Sequence, residues 1–141
     1  MRWLAALLTG LAETDLQRIA RRVVLESLRR PRAAEAVGDS PDDQSPMRVS
    51  AALRFVPEML DLIQKLRGKG FDVWMFSPSS QYAALEAARL YGIHPTRVVG
   101  LRQKVVNGEL TPDTLQPIPI GEGLAEAVTL LQAQDRKVVV P

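Results

Sequence analysis

The stretch FDVWMF, residues 71–76, constrains the fold more than any other part of the chain. It is a near-continuous apolar run between helix-like segments, with Gly70 before it and a serine-rich turn after it. Such a run fits a strand covered on both faces, the usual condition of a strand in a parallel sheet. The spacing predicts that this strand stops at Ser77 and gives way to a helix over 80–91, SQYAALEAARLY, closed by Gly92.

The flanking segments extend the alternation. Pro57 suits the first turn of a helix whose apolar face is Met59, Leu60, Leu62, Ile63 and Leu66, ended by Gly68 and Gly70. Arg97–Leu101 is a second strand, and a right-handed crossover makes it parallel to the first. Asn107-Gly108 between β-prone arms predicts a two-residue hairpin. Pro117 and Pro119 bracket a loop, 121–134 reads as helix, and RKVVV (136–140) is a third apolar strand. Alternating helix and strand of this kind argues for an α/β fold with a parallel sheet.

Residues 1–30 read as helical. Thr14 with Gln17 forms a capping box, Leu16, Ile19, Ala20, Val23, Val24 and Leu28 recur at helical spacing, and Pro31 ends the helix. The segment 31–47, PRAAEAVGDSPDDQSPM, has the composition of a linker. The opening MRWLAALLTGLAET superficially resembles a short signal peptide. It has one basic residue before the apolar run and no clean A-x-A site, so a packed helix is the expectation.

No apolar run approaches the roughly 20 residues needed to span a bilayer, so no membrane partner is expected. The absence of cysteine excludes disulfides and thiolate metal sites and fits a cytoplasmic protein. Arg21, Arg22, Arg29, Arg30 and Arg32 suit the end of a helix, where cations complement the dipole. No aromatic residues interleave with them and the net charge is only +2, so nucleic acid is not an expected partner.

Ser77 lies where α/β proteins place ligands, beyond the carboxyl end of a strand. Ser79 and Ser80 are N-cap candidates, and a helix start beside a hydroxyl makes a phosphate cradle. A purely structural role, turning the chain and capping the helix, accounts for the same residues. Serine nucleophile chemistry is disfavoured: no G-x-S-x-G elbow surrounds Ser77, and the lone His94 sits in a Gly-Ile-His-Pro turn. Asp42-Asp43, Asp61 and Asp72 do not have metal-site spacing at strand ends. Trp3 and Trp74 are expected to pack in the core or between lobes.

Taken in order, PEMLDLIQKLRGKGFDVWMFSPSS, AARLYGIHPTRVVGLR, NGELT, PIPIGEGLAEAV and DRKVVV resemble the haloacid dehalogenase (HAD) superfamily, in its phosphoserine-phosphatase-like branch. The resemblance covers residues 57–140. It implies an incomplete HAD-type, Rossmann-like parallel sheet with a β-hairpin over 51–141, preceded over 1–50 by part of a helical cap. Members are Mg²⁺-dependent phosphohydrolases acting through an aspartyl-phosphate. Their second motif is a Ser or Thr that hydrogen-bonds the phosphoryl oxygens at a strand end. Ser77 matches it, and phosphate binding is implied at Ser77, Pro78 and Ser79, with a small phosphorylated metabolite as the substrate class.

The departures from the family pattern are specific. The D-x-D-x-T or V nucleophile motif occurs nowhere, and in the family it would stand upstream of Met1. GEGLAEAV aligns with the family's G-x-G-K, which puts Leu124 where the phosphate-neutralising lysine belongs. The acidic G-D-x-x-x-D loop would follow RKVVV, beyond Pro141. The expectation is a phosphatase fragment inactive as this chain alone, with no catalytic or metal-ligating residue of its own and no Mg²⁺ bound. The alternative is a non-catalytic descendant that keeps a phosphate-binding or protein-interaction surface. In the family the nucleophile strand lies between FDVWMF and RKVVV. Without it, the resemblance implies a gap in the sheet, direct re-pairing of those strands, or self-association through their unpaired edges.

Overall fold

A computed structural model describes residues 2–30, 35–37, 47–49 and 53–134. Two helices open it, α1 (Arg2–Leu8) and α2 (Glu13–Arg29), broken by Gly10 at φ 81°. Only glycine adopts that backbone without strain. The capping box expected at Thr14 and Gln17 does not form, because the helix starts earlier: Ala12 is the N-cap and makes no side-chain cap. The backbone amide of Glu13 instead donates to the Gly108 carbonyl at 2.9 Å, so a distant turn satisfies this helix end. α2 ends at Arg29, one turn-forming residue before Pro31, as its sequence predicts.

Within the segment read as a linker, β1 (Glu35–Val37) pairs antiparallel with β2 (Met47–Val49), Ala36 opposite Arg48. Composition alone concealed that pairing, which needs only three residues per strand.

α3 (Pro57–Gly68) begins at its proline and ends before Gly70, at φ 84°. Of its expected apolar face, Ile63 is buried, whereas Met59 and Leu62 are exposed. The next strand, β3, runs Met75–Ser80 rather than 71–76. Phe71 is 52% exposed, and Val73 to Phe76 are only half-buried. β3 has a neighbour on one side alone among the described residues, so its apolar residues gain cover from one flank.

That neighbour is β4 (Val98–Val106), parallel to β3 with Met75 opposite Val98 and Phe76 opposite Val99. The parallel crossover through α4 (Gln81–Leu90) is the one the sequence predicts. β4 turns at Asn107 (φ 52°) and Gly108 (φ 84°) into antiparallel β5 (Glu109–Leu115), giving the order β3-β4-β5. Paired positive φ values favour Asn-Gly in a hairpin, and this is the expected hairpin. After the proline loop comes α5 (Glu122–Gln134). The predicted strand RKVVV lies outside the described residues.

One core cluster joins Ile63, Ala84, Ala88, Ile93 and Val98, with Val73, Met75, Leu85 and Tyr91 packed against it. α2 packs against α4 and α1 against β5, so the N-terminal helices rest on the sheet unit at two places. Gln103 locks the second contact. Its buried amide donates to the Ala5 carbonyl at 3.0 Å and the Thr111 carbonyl at 2.7 Å. The fold is thus mixed α/β, with an open three-stranded sheet holding one parallel pair among the described residues.

Candidate functional site

The junction between β3 and α4 presents the serines singled out by sequence. β3 does not stop at Ser77. It passes through an irregularity after Phe76 and pairs again at Ser80, opposite Leu101. Pro78 lies inside this irregularity, where its missing N–H costs no ladder bond.

Ser77 is half-buried, and its Oγ accepts the backbone N–H of Ser79 at 3.2 Å. Ser80, not Ser79, caps α4: its Oγ accepts from the Ala83 amide at 3.3 Å. The serines therefore serve the turn and the helix start in the way the structural reading expects. Two of the amides near a cradle are already engaged, those of Ser79 and Ala83, and Pro78 has none to offer. Ser77 itself stands four residues before the first residue of the ten-residue helix α4.

The junction is clamped to β4. Gln81 Nε2 donates to the Val98 carbonyl at 3.1 Å, and the Gly100 amide donates to Gln81 Oε1 at 2.6 Å. Gly100 permits this approach, since a Cβ there would stand 2.6 Å from the Cα of Gln81. Tyr82, one residue further, donates to Glu13 Oε1 at 3.0 Å and ties the site to α2. Partial burial, then the hydrogen bond to the Glu13 carboxylate and its charge, push the Tyr82 phenol up to about 12. No local motif marks Gln81 or Tyr82, so sequence reasoning missed both.

Leu124 is the third residue of α5 and is 38% exposed. The preceding Gly123 is held against Ile118, whose carbonyl oxygen would lie 2.1 Å from an added Cβ. The glycine before Leu124 thus has a packing reason of its own.

Other candidates resolve into structural roles. His94 Nδ1 lies 2.8 Å from Thr96 Oγ1 and caps a single 3₁₀ turn, Pro95–Arg97. Asp72 pairs with Arg97 at 2.5 Å, and Asp61 with Lys65 at 2.6 Å. Asp42-Asp43 lies outside the described residues. Among the described residues no three His, Asp or Glu side chains come together. Trp3 corrects the expectation of a packed tryptophan: it is 64% exposed on α1. Trp74 is half-buried.

Trp74, just before β3, lines two hollows. One, of about 370 Å³, runs between α3 and the strand, lined by Met59, Leu62, Val73, Phe76 and Tyr91 among others. The second, of about 400 Å³, lies between β4 and α5 and includes Trp74 and Arg102. Ser77, Pro78 and Ser79 line neither.

The fold is that of a mixed α/β protein whose parallel strand β3 leads into the Ser80-capped helix α4. No family model and no curated protein matches the chain. Among solved structures, it is similar to a conserved, functionally unknown protein from Anaerococcus prevotii DSM 20548, with a TM-score of 0.71 and 23% identity. The match covers 88% of this chain and 35% of that one, so the chain spans about a third of that protein's length. At this identity the likeness concerns the fold.

Proposed function

We propose that the chain is part of a HAD-type phosphomonoester hydrolase, inactive by itself. The observation that supports the reading best is Ser77 on a parallel strand that leads directly into the Ser80-capped helix α4. There its hydroxyl would position a phosphoryl oxygen, needing no activating base. The substrate class is a small phosphorylated metabolite, in a cytoplasmic setting. Family chemistry uses Mg²⁺ with an aspartate nucleophile, and the residues of this chain supply neither a D-x-D motif nor the lysine.

An assay of the pure chain with p-nitrophenyl phosphate and Mg²⁺ tests this directly. No turnover is expected, whereas Mg²⁺-dependent turnover abolished by Ser77→Ala overturns the reading. Titration with inorganic phosphate, followed by amide NMR, tests the cradle itself. Shifts centred on Ser77–Tyr82 support it, and an unperturbed junction removes it.

Leu124 favours a second reading. An apolar side chain where the family carries its lysine suits a non-catalytic, phosphate-binding or protein-interaction descendant. Coding sequence on either side of this frame separates the two: an upstream D-x-D motif and a downstream acidic loop support the fragment. Self-association through the edge of β3, which has no neighbour among the described residues, is compatible with both.

A further inference from the structure

The hollow between β4 and α5 has the size and lining of a small-molecule site. Its volume of about 400 Å³ falls in the range of small-molecule sites, about 300–1,000 Å³. Most of its walls are apolar: Val98, Val99, Pro117, Ala127, Leu130 and Leu131. One charged residue lines it, Arg102.

The hydrogen-bonding balance of this lining is one-sided. Gln81 is engaged at both ends of its amide, with Val98 and Gly100. The Thr96 hydroxyl is paired with His94. Arg102 donates once, to the Gln116 carbonyl at 3.1 Å, while its Nε is buried with no partner. Among the described residues no carboxylate pairs with Arg102, and Trp74 lines the same hollow with its indole N–H as a further donor. Free donors beside an apolar wall, with the lining amide and hydroxyl already engaged, select a ligand that brings acceptors only. A half-buried guanidinium with a buried, unpartnered Nε is also stabilised by an anion more than by a neutral group, since the pairing satisfies both its charge and its fork of donors.

We propose that this cavity is a binding site for an apolar monoanion, an aliphatic or aromatic carboxylate whose head pairs with Arg102 and whose body lies against Val99, Leu130 and Leu131. The site is separate from Ser77 and does not depend on the phosphatase reading.

The test uses the full chain carrying Trp3→Phe, so that Trp74 is its one fluorophore of that kind, titrated with octanoate and, separately, with octanol. Octanoate should shift Trp74 emission saturably and bind about tenfold more tightly than octanol, the scale of one charge-assisted hydrogen bond. Arg102→Met should bring octanoate down to the affinity of octanol. Leu131→Phe, which fills the hollow, should weaken both. Equal binding of octanoate and octanol, undiminished octanoate binding in Arg102→Met, or no saturable shift overturns the proposal. Should Arg102→Met fail to fold by circular dichroism, the octanoate–octanol comparison and Leu131→Phe decide the matter.

Discussion

Tyr82 on α4 donates its phenolic hydrogen to Glu13 on α2 across 3.0 Å, joining segments 69 residues apart in the chain. The same Glu13 uses its backbone amide on the Gly108 carbonyl at the hairpin turn. One residue at the start of α2 is therefore fastened to both the helix layer and the hairpin. The pH dependence of stability follows from this contact. Folding raises the Tyr82 phenol to about 12 from an ordinary value of 10.0, so the native state holds its proton more tightly than the unfolded chain. The contribution is fully present below pH 10 and is lost as pH rises from there through about 12. Urea midpoints should fall over that window, and Tyr82→Phe should remove part of the fall. At pH 7 the same substitution should cost about 0.5–1.5 kcal/mol. Parallel pH profiles for parent and variant would show the idea wrong.

Glycine positions offer a contrast that reports on the clamp at the candidate site. Gly100→Ala drives a Cβ into the backbone of Gln81, at 2.6 Å from its Cα and 2.9 Å from its nitrogen. Neither atom belongs to a flexible side-chain end, so β4 and α4 must part. A loss of about 1–3 kcal/mol is expected. Gly68→Ala, at the end of α3 with open space around it, should instead stabilise by about 0.4–1 kcal/mol. Chemical denaturation of the two variants checks both signs.

Much of this arrangement was legible in the sequence, and the failures share a cause. The parallel pair, the Asn107-Gly108 hairpin, and the helices at Pro57, Gln81 and Glu122 follow from periodicity and turn residues, which are local signals. β3 is displaced from the apolar run because Phe71, Val73 and Trp74 are apolar without being in a ladder, while the ladder continues through the polar Ser80. The start of α2 was misjudged because its first amide is satisfied by Gly108, a partner with no mark near Thr14. At the site, Ser77 and the Ser80 cap could be read locally. Gln81, Tyr82, Gln103 and Arg102 act across the fold, and nothing beside them in the chain announces it.

Serine substitutions should separate capping from ligand positioning. Ser80→Ala removes the acceptor for the Ala83 amide and should cost about 1 kcal/mol of stability. Ser77→Ala removes only the turn contact with Ser79, an exposed interaction, and should cost under about 0.5 kcal/mol. Thermal melts rank them. A larger loss at Ser77 than at Ser80 would make Ser77 a structural residue and weaken its role in phosphate binding.

Gln103 should prove to be the fastening of α1. Its amide satisfies carbonyls from Ala5 and Thr111 in a buried setting, so Gln103→Leu leaves both acceptors without that donor. A penalty of about 1–3 kcal/mol is expected. Hydrogen exchange adds the spatial readout: protection should fall first in α1 and in β5 around Thr111, with α3 and α4 unchanged. Uniform loss across the chain would contradict a local fastening.

The edge of β3 that has no neighbour among the described residues makes a last prediction about behaviour at high concentration. Unpaired strand edges template further pairing unless charge or cover blunts them. Here the flank of the edge is apolar, with Met59 and Leu62 exposed on α3, Val73 half-buried just before the strand and Phe76 half-buried within it. Sedimentation velocity should therefore show concentration-dependent self-association. The double substitution Met59→Lys and Leu62→Lys places two cations beside the edge, at exposed positions outside the Ile63 core, and should suppress it with little loss of stability. If the parent is monomeric at every concentration, or the double variant associates as strongly, then the edge is not what drives contact between copies.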